Sequence, residues 1–371
     1  GERLWAGSGW TGQALMVEEN DSLYLIQPTF NHSLKKINAL TGKIIWSSPF
    51  NDVLKGSGTI YYNPKAKSKE EEYLIFQGSR LGYDNYLDSL PVESFKCISY
   101  TTGKTLWTHN SQMTASYSRD VDGSCLMIND TLYIGLENGL MTKMSPIETF
   151  GIKDSAHPIV YSQHYLYTQE DVVQHGGNLV TEGSIARLGD FIYIPAGSGH
   201  LYEYSISKDS ITQEWFFGSD IDGSAIITND SCILVSIEKQ YINGHGGLVK
   251  IDPEKTGKEA FEWYFPTADT DFSGWKGGII GSAAINDQIS TFPDHYLTAV
   301  AGIDSLLYLL DYSRVDTTKE WVLGPNNSYY FPTPVLLDQY QINKSISTPL
   351  IIGNKLIVGG YQGIFLFKIT P

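Results

Sequence analysis

Long apolar runs are missing from this chain of 371 residues. No stretch of 18 consecutive apolar residues occurs, so no transmembrane helix is expected. Basic charge is scarce as well: 26 Lys and Arg stand against 41 Asp and Glu, a formal charge of −15. Nucleic acids and anionic membrane surfaces are recognised through basic patches, so neither is expected as a partner. Cysteine is limited to Cys97, Cys125 and Cys232. An odd number without short spacing makes neither a disulfide framework nor a zinc site. Each falls inside a predicted strand and reads as a small buried apolar residue. There is no Walker-type phosphate loop, no Gly-x-Ser-x-Gly elbow and no His-Glu-x-x-His, which leaves NTP hydrolysis, α/β-hydrolase chemistry and zincin proteolysis without support. No signal peptide is visible, and a start at Gly1-Glu2-Arg3 reads as a processed or trimmed N-terminus.

What the chain has instead is glycine and tyrosine, 36 and 24 residues, the composition of an all-β protein with many turns. It also has a repeated phrase. Residues Asp122 to Gly135 read as a short apolar strand, an Asn129-Asp130 turn and a second apolar strand. The phrase returns from Gly223, from Thr11-Gly12, from Gly183 and from Gly281, where the second strand is delayed to Tyr296–Val300. It returns again from Ser347 and, more weakly, from Gly56. The starts, near 12, 56, 123, 183, 223, 281 and 347, lie about 40 to 67 residues apart, the period of propeller blades with variable loops.

A second phrase follows most hairpins. Leu34 to Trp46 gives a strand, a Thr41-Gly42 turn and a strand ending in Trp46; Phe95 to Trp107 repeats it around Thr102-Gly103. Leu248 leads through Thr256-Gly257 to Trp263, Leu201 leads to Trp215, and Leu307 leads to Trp321. The glycine permits the turn, and the outer-strand tryptophan can cover the surface between neighbouring units. Four strands per unit over one domain, residues 1–371, predict an all-β, seven-bladed β-propeller. The last unit lacks a fourth strand, so residues 2–6, with Trp5, are expected to complete it and close the ring. The third unit lacks the Thr-Gly turn; Pro158–Tyr161 is its expected outer strand, with Tyr161 in the tryptophan role, followed by a long loop over 168–181. Residues 80–94 and 329–344 are the other expected long loops.

The Thr-Gly-Lys-x-x-Trp phrase at Thr41–Trp46 and Thr102–Trp107, partly kept at Thr256–Trp263, resembles the pyrroloquinoline-quinone-like β-propeller repeat. Where that family has Asp in the third strand, this chain has Asn38, Ser99, Asp252 and Asp311. The family's quinoprotein alcohol dehydrogenases have eight blades, a vicinal Cys-Cys pair, Ca²⁺ held by Glu and Asn, and a catalytic Asp. No adjacent cysteines and one blade fewer argue here against quinone catalysis and against bound PQQ. The resemblance to the non-enzymatic branch, which includes periplasmic scaffold lipoproteins of outer-membrane barrel assembly, implies a binding or scaffold propeller. It would be periplasmic, outer-membrane-anchored or secreted, and would recognise a protein or glycan. A carbohydrate-active hydrolase or lyase using rim carboxylates and histidines is the alternative.

By analogy with other propellers, a ligand would sit on the face where the loops into each first strand converge. Asp120-Val121-Asp122-Gly123-Ser124 and Asp220-Ile221-Asp222-Gly223-Ser224 fall there at equivalent positions, and Arg119 and Glu182 join them by sequence position. The four aspartates are a candidate Ca²⁺ or sugar-hydroxyl site, since both suit hard oxygen ligands. They are equally the Asx-turns expected before glycine. His175, His200 and His245 are expected in rim loops, where His175, His245 and Asp222 could combine as a metal or acid–base site. Trp10, Trp275, Tyr83, Tyr86, Tyr241 and Tyr329 are rim aromatics suited to stacking on sugar rings, and Lys276 is a lone basic neighbour of Trp275. Packing of the loops explains the aromatics as well.

Overall fold

The computed structural model describes residues 12–81, 91–151, 156–286, 292, 295–327 and 329–370. Its internal contacts divide the chain into two compact units, residues 1–185 and 186–371. The expected completing strand at residues 2–6 lies outside the described residues.

The first unit holds three four-stranded antiparallel sheets, each with its strands A to D in chain order. Blade 1 is Leu15–Glu19, Ser22–Thr29, Ser33–Asn38 and Ile44–Pro49; blade 2 is Thr59–Tyr62, Tyr73–Gly78, Phe95–Ser99 and Thr105–His109. Blade 3 is Leu126–Ile128, Thr131–Leu136, Leu140–Phe150 and His157–Tyr165. In the second unit, blade 4 is Ala186–Leu188, Phe191–Pro195, His200–Ser205 and Ser210–Phe216, and blade 5 is Ile226–Ile227, Ile233–Ile237, Gly247–Ile251 and Phe261–Pro266. Blade 6 is Ala284–Ile285, Leu297–Ala301, Leu306–Val315 and Pro334–Gln341, and blade 7 shows Leu350–Ile352, Lys355–Gly360 and Gly363–Lys368. The fold is a seven-bladed β-propeller of four-stranded antiparallel blades, as the repeats predict.

Local chemistry sets the turns. Asn20-Asp21 and Asn129-Asp130 take positive φ at both positions, the geometry that lets a two-residue turn follow the strand twist. Strand alternation then buries one set of side chains against the next blade. Leu74, Phe76, Cys97 and Trp107 of blade 2 pack with Cys125, Leu132 and Ile134 of blade 3. All three cysteines are buried and unpaired with one another.

The outer-strand tryptophans clamp successive blades. The Trp46 indole N–H donates to the Tyr100 carbonyl (2.9 Å), Trp107 to Pro146 (2.8 Å) and Trp263 to Tyr312 (3.0 Å), each on the following blade. In all three blades the pairing of strands C and D shifts register beside the tryptophan, a bulge that re-aims the side chain. Gly103 serves twice: its φ is +73°, and a Cβ there would lie 2.8 Å from the Trp46 ring of the blade before.

Four expectations are corrected. Trp321 is exposed and is not on an outer strand. It belongs to a connection that forms the hairpin Val322–Leu323 with Tyr330–Phe331, and Phe331 stacks on Phe261 at 4.9 Å. The outer strand of blade 6 lies inside the expected loop 329–344, and its Tyr340 stacks on Phe367 of blade 7 at 4.5 Å. In blade 3 the expected outer strand forms, but Tyr161 points to solvent, because strand C runs on to Phe150 and shifts register twice on the way. The expected loop over 168–181 contains a helix, Gln169–His175, started by a Thr168/Asp171 capping box and ended by Gly176 in the left-handed region.

Candidate functional site

The lead-in to strand A of blades 2 to 7 is a three-residue step. In the first unit it reads Lys55-Gly56-Ser57, Asp122-Gly123-Ser124 and Glu182-Gly183-Ser184; in the second, Asp222-Gly223-Ser224, Ile280-Gly281-Ser282 and Ile346-Ser347-Thr348. The hydroxyl at the third place accepts a backbone N–H from the step before it. Ser124 N–H donates to Ser184 Oγ (3.0 Å), Ser224 to Ser282 Oγ (2.8 Å) and Ser282 to Thr348 Oγ1 (2.9 Å). The glycine is required because successive steps touch through their backbones. A Cβ on Gly56 would fall 1.8 Å from the Asp122 carbonyl oxygen, and one on Gly123 2.9 Å from that of Gly183. Lys55, Asp122 and Glu182, at the first place of three successive steps, are thereby held in equivalent positions.

Around them the first unit buries a network of charge. The Lys55 ammonium lies 2.6 Å from Asp122 Oδ2 and 3.8 Å from Asp120 Oδ2. Arg80 Nε is 3.3 Å from the same Asp120 oxygen, and the Leu81 N–H donates to Asp120 Oδ1 (3.0 Å). Glu137 follows strand B of blade 3, where Ser118 Oγ donates to its Oε2 (2.5 Å) while accepting the Asp120 N–H (3.1 Å). Asp122, Glu137 and Glu182 each bring one carboxylate oxygen within 4.8 Å of the others. Asp122 Oδ1 and Glu137 Oε1 are buried there without a hydrogen-bond donor.

The electrostatics follow from this crowding. Burial opposes the Lys55 charge, but Asp122, Glu137, Glu182 and Asp120 together outweigh it and hold the amine protonated well above its usual range. Burial and the adjacent Asp122 charge push the Glu137 carboxyl well up. Burial raises Asp120 and Asp122 too, against the pull of Lys55.

The second unit repeats the carboxylates. Asp220, Asp222 and Glu238 also place one oxygen each within 4.8 Å of the others. Glu238 follows strand B of blade 5 as Glu137 follows that of blade 3, and its N–H donates to the Asp220 carbonyl (3.1 Å). The paired Asp-x-Asp-Gly-Ser phrases therefore mark two carboxylate clusters of different make-up, each with a glutamate 15 or 16 residues after the second aspartate: the first takes Asp122 and adds Glu182, and the second takes both Asp220 and Asp222. Sequence reasoning missed Glu137, Glu238, Lys55 and Arg80. For Glu137 and Glu238 the available signal was their shared place one residue past strand B; for Lys55 it was its alignment with Asp122 and Glu182 before Gly-Ser.

The remaining expected site residues are placed elsewhere. The Arg119 carbonyl accepts from Ser94 Oγ (2.6 Å). His175 is buried at the end of the 169–175 helix rather than in a rim loop. His200 opens strand C of blade 4, buried between Tyr202 and Phe216 at ring distances of 5.2 and 4.6 Å, with Nδ1 3.7 Å from Glu214. His245 is exposed, and its Nδ1 lies 2.8 Å from Asp269. Among the described residues no histidine belongs to a ligating cluster, so the expected combination of His175, His245 and Asp222 does not form. Trp275 lies in a hairpin, Asp269–Phe272 with Trp275–Gly277, stacked on Phe272 at 6.2 Å. Lys276 pairs with Asp271 at the surface (2.8 Å). Tyr241 and Tyr329 are exposed. Trp10, Tyr83 and Tyr86 lie outside the described residues.

No family model and no curated protein matches this chain. Among solved structures it is similar to BamB from Moraxella catarrhalis, with a TM-score of 0.59 and 11% identity over 97% of this chain and 84% of that one. An identity that low speaks to architecture alone, and what this chain shares with BamB is the β-propeller fold.

Proposed function

We propose that this protein is a non-enzymatic binding scaffold that recognises a protein partner through loops of its first unit. The observation that carries the reading is a set of exposed apolar side chains on a loop and a helix tied to one another. Met113, Tyr117 and Val173 are 50%, 67% and 78% exposed. The Tyr117 N–H donates to the Gly177 carbonyl (3.0 Å), which joins the 112–117 loop to the end of the 169–175 helix that presents Val173. Side chains of this kind, held on a hydrogen-bonded frame, are what a partner buries. The fold shared with BamB and the resemblance of the repeats support the same reading, and with them a place in the bacterial envelope or exterior. No described helix is long and apolar enough to cross a membrane.

The carbohydrate-hydrolase alternative fits less well. A glycosidase needs two carboxylates about 5 Å or more apart with a sugar between them. Asp122 and Glu137 are closer than that, buried, and attached to Lys55 and Ser118.

Photo-crosslinking in the native cells tests the proposal. A photoreactive residue at position 117 or 173 is expected to trap the same defined protein, and one at exposed Leu40 is not. Equal background labelling at all three positions, or turnover of a glycan by the purified protein, would refute it.

A further inference from the structure

We infer that Asp122, Glu137 and Glu182 form a binding site for one divalent cation of the Ca²⁺ type, with Lys55 as a built-in counter-charge at its edge. Their donor atoms are all carboxylate oxygens, with no sulfur or imidazole, which selects a hard cation over zinc or copper. The separations also admit Ca²⁺. Oxygens about 2.4 Å from one Ca²⁺ can be at most about 4.8 Å apart. The three donor atoms meet that limit as they stand.

Independently of the cluster's composition, two of its oxygens need a partner. Glu137 is 1% exposed, and its Oε1 has no donor; Asp122 is 5% exposed, and its Oδ1 has none either. A buried carboxylate oxygen without a donor is costly, and a cation removes that cost. Lys55 does not fill the place, because its ammonium is directed to Asp122 Oδ2 and toward Asp120, leaving Oδ1 open. The formal charge also balances. With a cation bound and all four carboxyls ionised, Asp120, Asp122, Glu137 and Glu182 against Lys55 and Arg80 leave two negative charges for a divalent ion. The lead-in steps hold Asp122 and Glu182 on a fixed backbone frame through the Ser124–Ser184 hydrogen bond and the Gly123–Gly183 contact. Asp122 and Glu182 are therefore placed by backbone contacts that need no metal.

Calorimetric titration of the full chain with CaCl₂ after chelator treatment, in parallel with thermal unfolding, tests the site. Wild-type protein is expected to bind one Ca²⁺ at this cluster and to melt higher in its presence. Glu137→Gln is expected to weaken binding at least about tenfold, and Glu238→Gln in the second unit to leave it within about threefold. Should Glu137→Gln not fold, Glu182→Gln removes a half-buried ligand and carries the same expectation. Three results would overturn the inference: no Ca²⁺-dependent heat or melting shift in the wild type, undiminished affinity in Glu137→Gln and Glu182→Gln, or a response abolished only by Glu238→Gln.

Discussion

Replacing Lys55 with methionine keeps most of the side chain's volume and removes its charge. At 2.6 Å and an effective dielectric near 20, the Lys55–Asp122 attraction is about 6 kcal/mol before desolvation is subtracted. Asp120 at 3.8 Å adds a second interaction of about 4 kcal/mol on the same scale. Both ions are desolvated in the fold, so the net value of the pair is much smaller than that sum. What the substitution leaves behind is a buried group of carboxylates without its ammonium, and a loss of about 3–5 kcal/mol is expected for that. For a cooperative unit of this size the loss corresponds to a melting point lower by about 6–20 °C. The assay is denaturant and thermal unfolding of wild type, Lys55→Met, Asp122→Asn and the double variant in chelator. The double variant is expected to recover part of the loss, with a coupling energy of about 1–3 kcal/mol. The deficit of Lys55→Met should shrink as pH falls, since the stranded carboxylates then take up protons. A loss below about 1 kcal/mol, or strictly additive single effects, would refute the claim that Lys55 is the counter-ion of this cluster.

Two further outcomes follow from the same region. The Glu137 carboxyl is raised in the folded protein, so its contribution is fully present below the ordinary glutamate range and is lost as pH rises through its folded value. Glu137→Gln cannot titrate, so in chelator its stability relative to wild type should improve as pH rises above the ordinary glutamate range, and a difference that stays flat with pH would contradict the shift. Gly56→Ala places a methyl 1.8 Å from the Asp122 carbonyl and should cost about 3 kcal/mol or more, whereas Gly42→Ala meets no atom within 4 Å and should cost only the roughly 1 kcal/mol of its φ of +70°. Equal melting points for the two variants would mean that the backbone approach between successive steps is not tight.

The repeats made the blades legible, because a strand–turn–strand phrase ending in Gly or Trp is a local pattern and turn chemistry is local. Asn129-Asp130, Thr41-Gly42 and the Trp46, Trp107 and Trp263 clamps all sit where the pattern puts them. Trp321 shows the limit. It had the right residue type at a plausible distance, but the segment 316–333 spends its apolar residues on a separate hairpin, and Tyr340 covers blade 7. Composition cannot show which of two apolar stretches wins the edge of a sheet. The Gln169–His175 helix has a local signal in Thr168, Asp171 and Gly176, yet a seven-residue helix is too short for its periodicity to stand out.

The site divides in the same way. From residue order alone it was determined that Asp120-x-Asp122 and Asp220-x-Asp222 occupy equivalent places, since both precede Gly-Ser at the start of a strand A. Only the tertiary structure decided what surrounds them. Lys55, Arg80, Glu137 and Glu182 come from segments up to 127 positions apart, and antiparallel pairing with blade-to-blade packing brings them to one point. Ionic partners are chosen by distance in space, which a one-dimensional repeat does not encode. It was the glycine contact between successive steps that turned three residues of the sequence into neighbours.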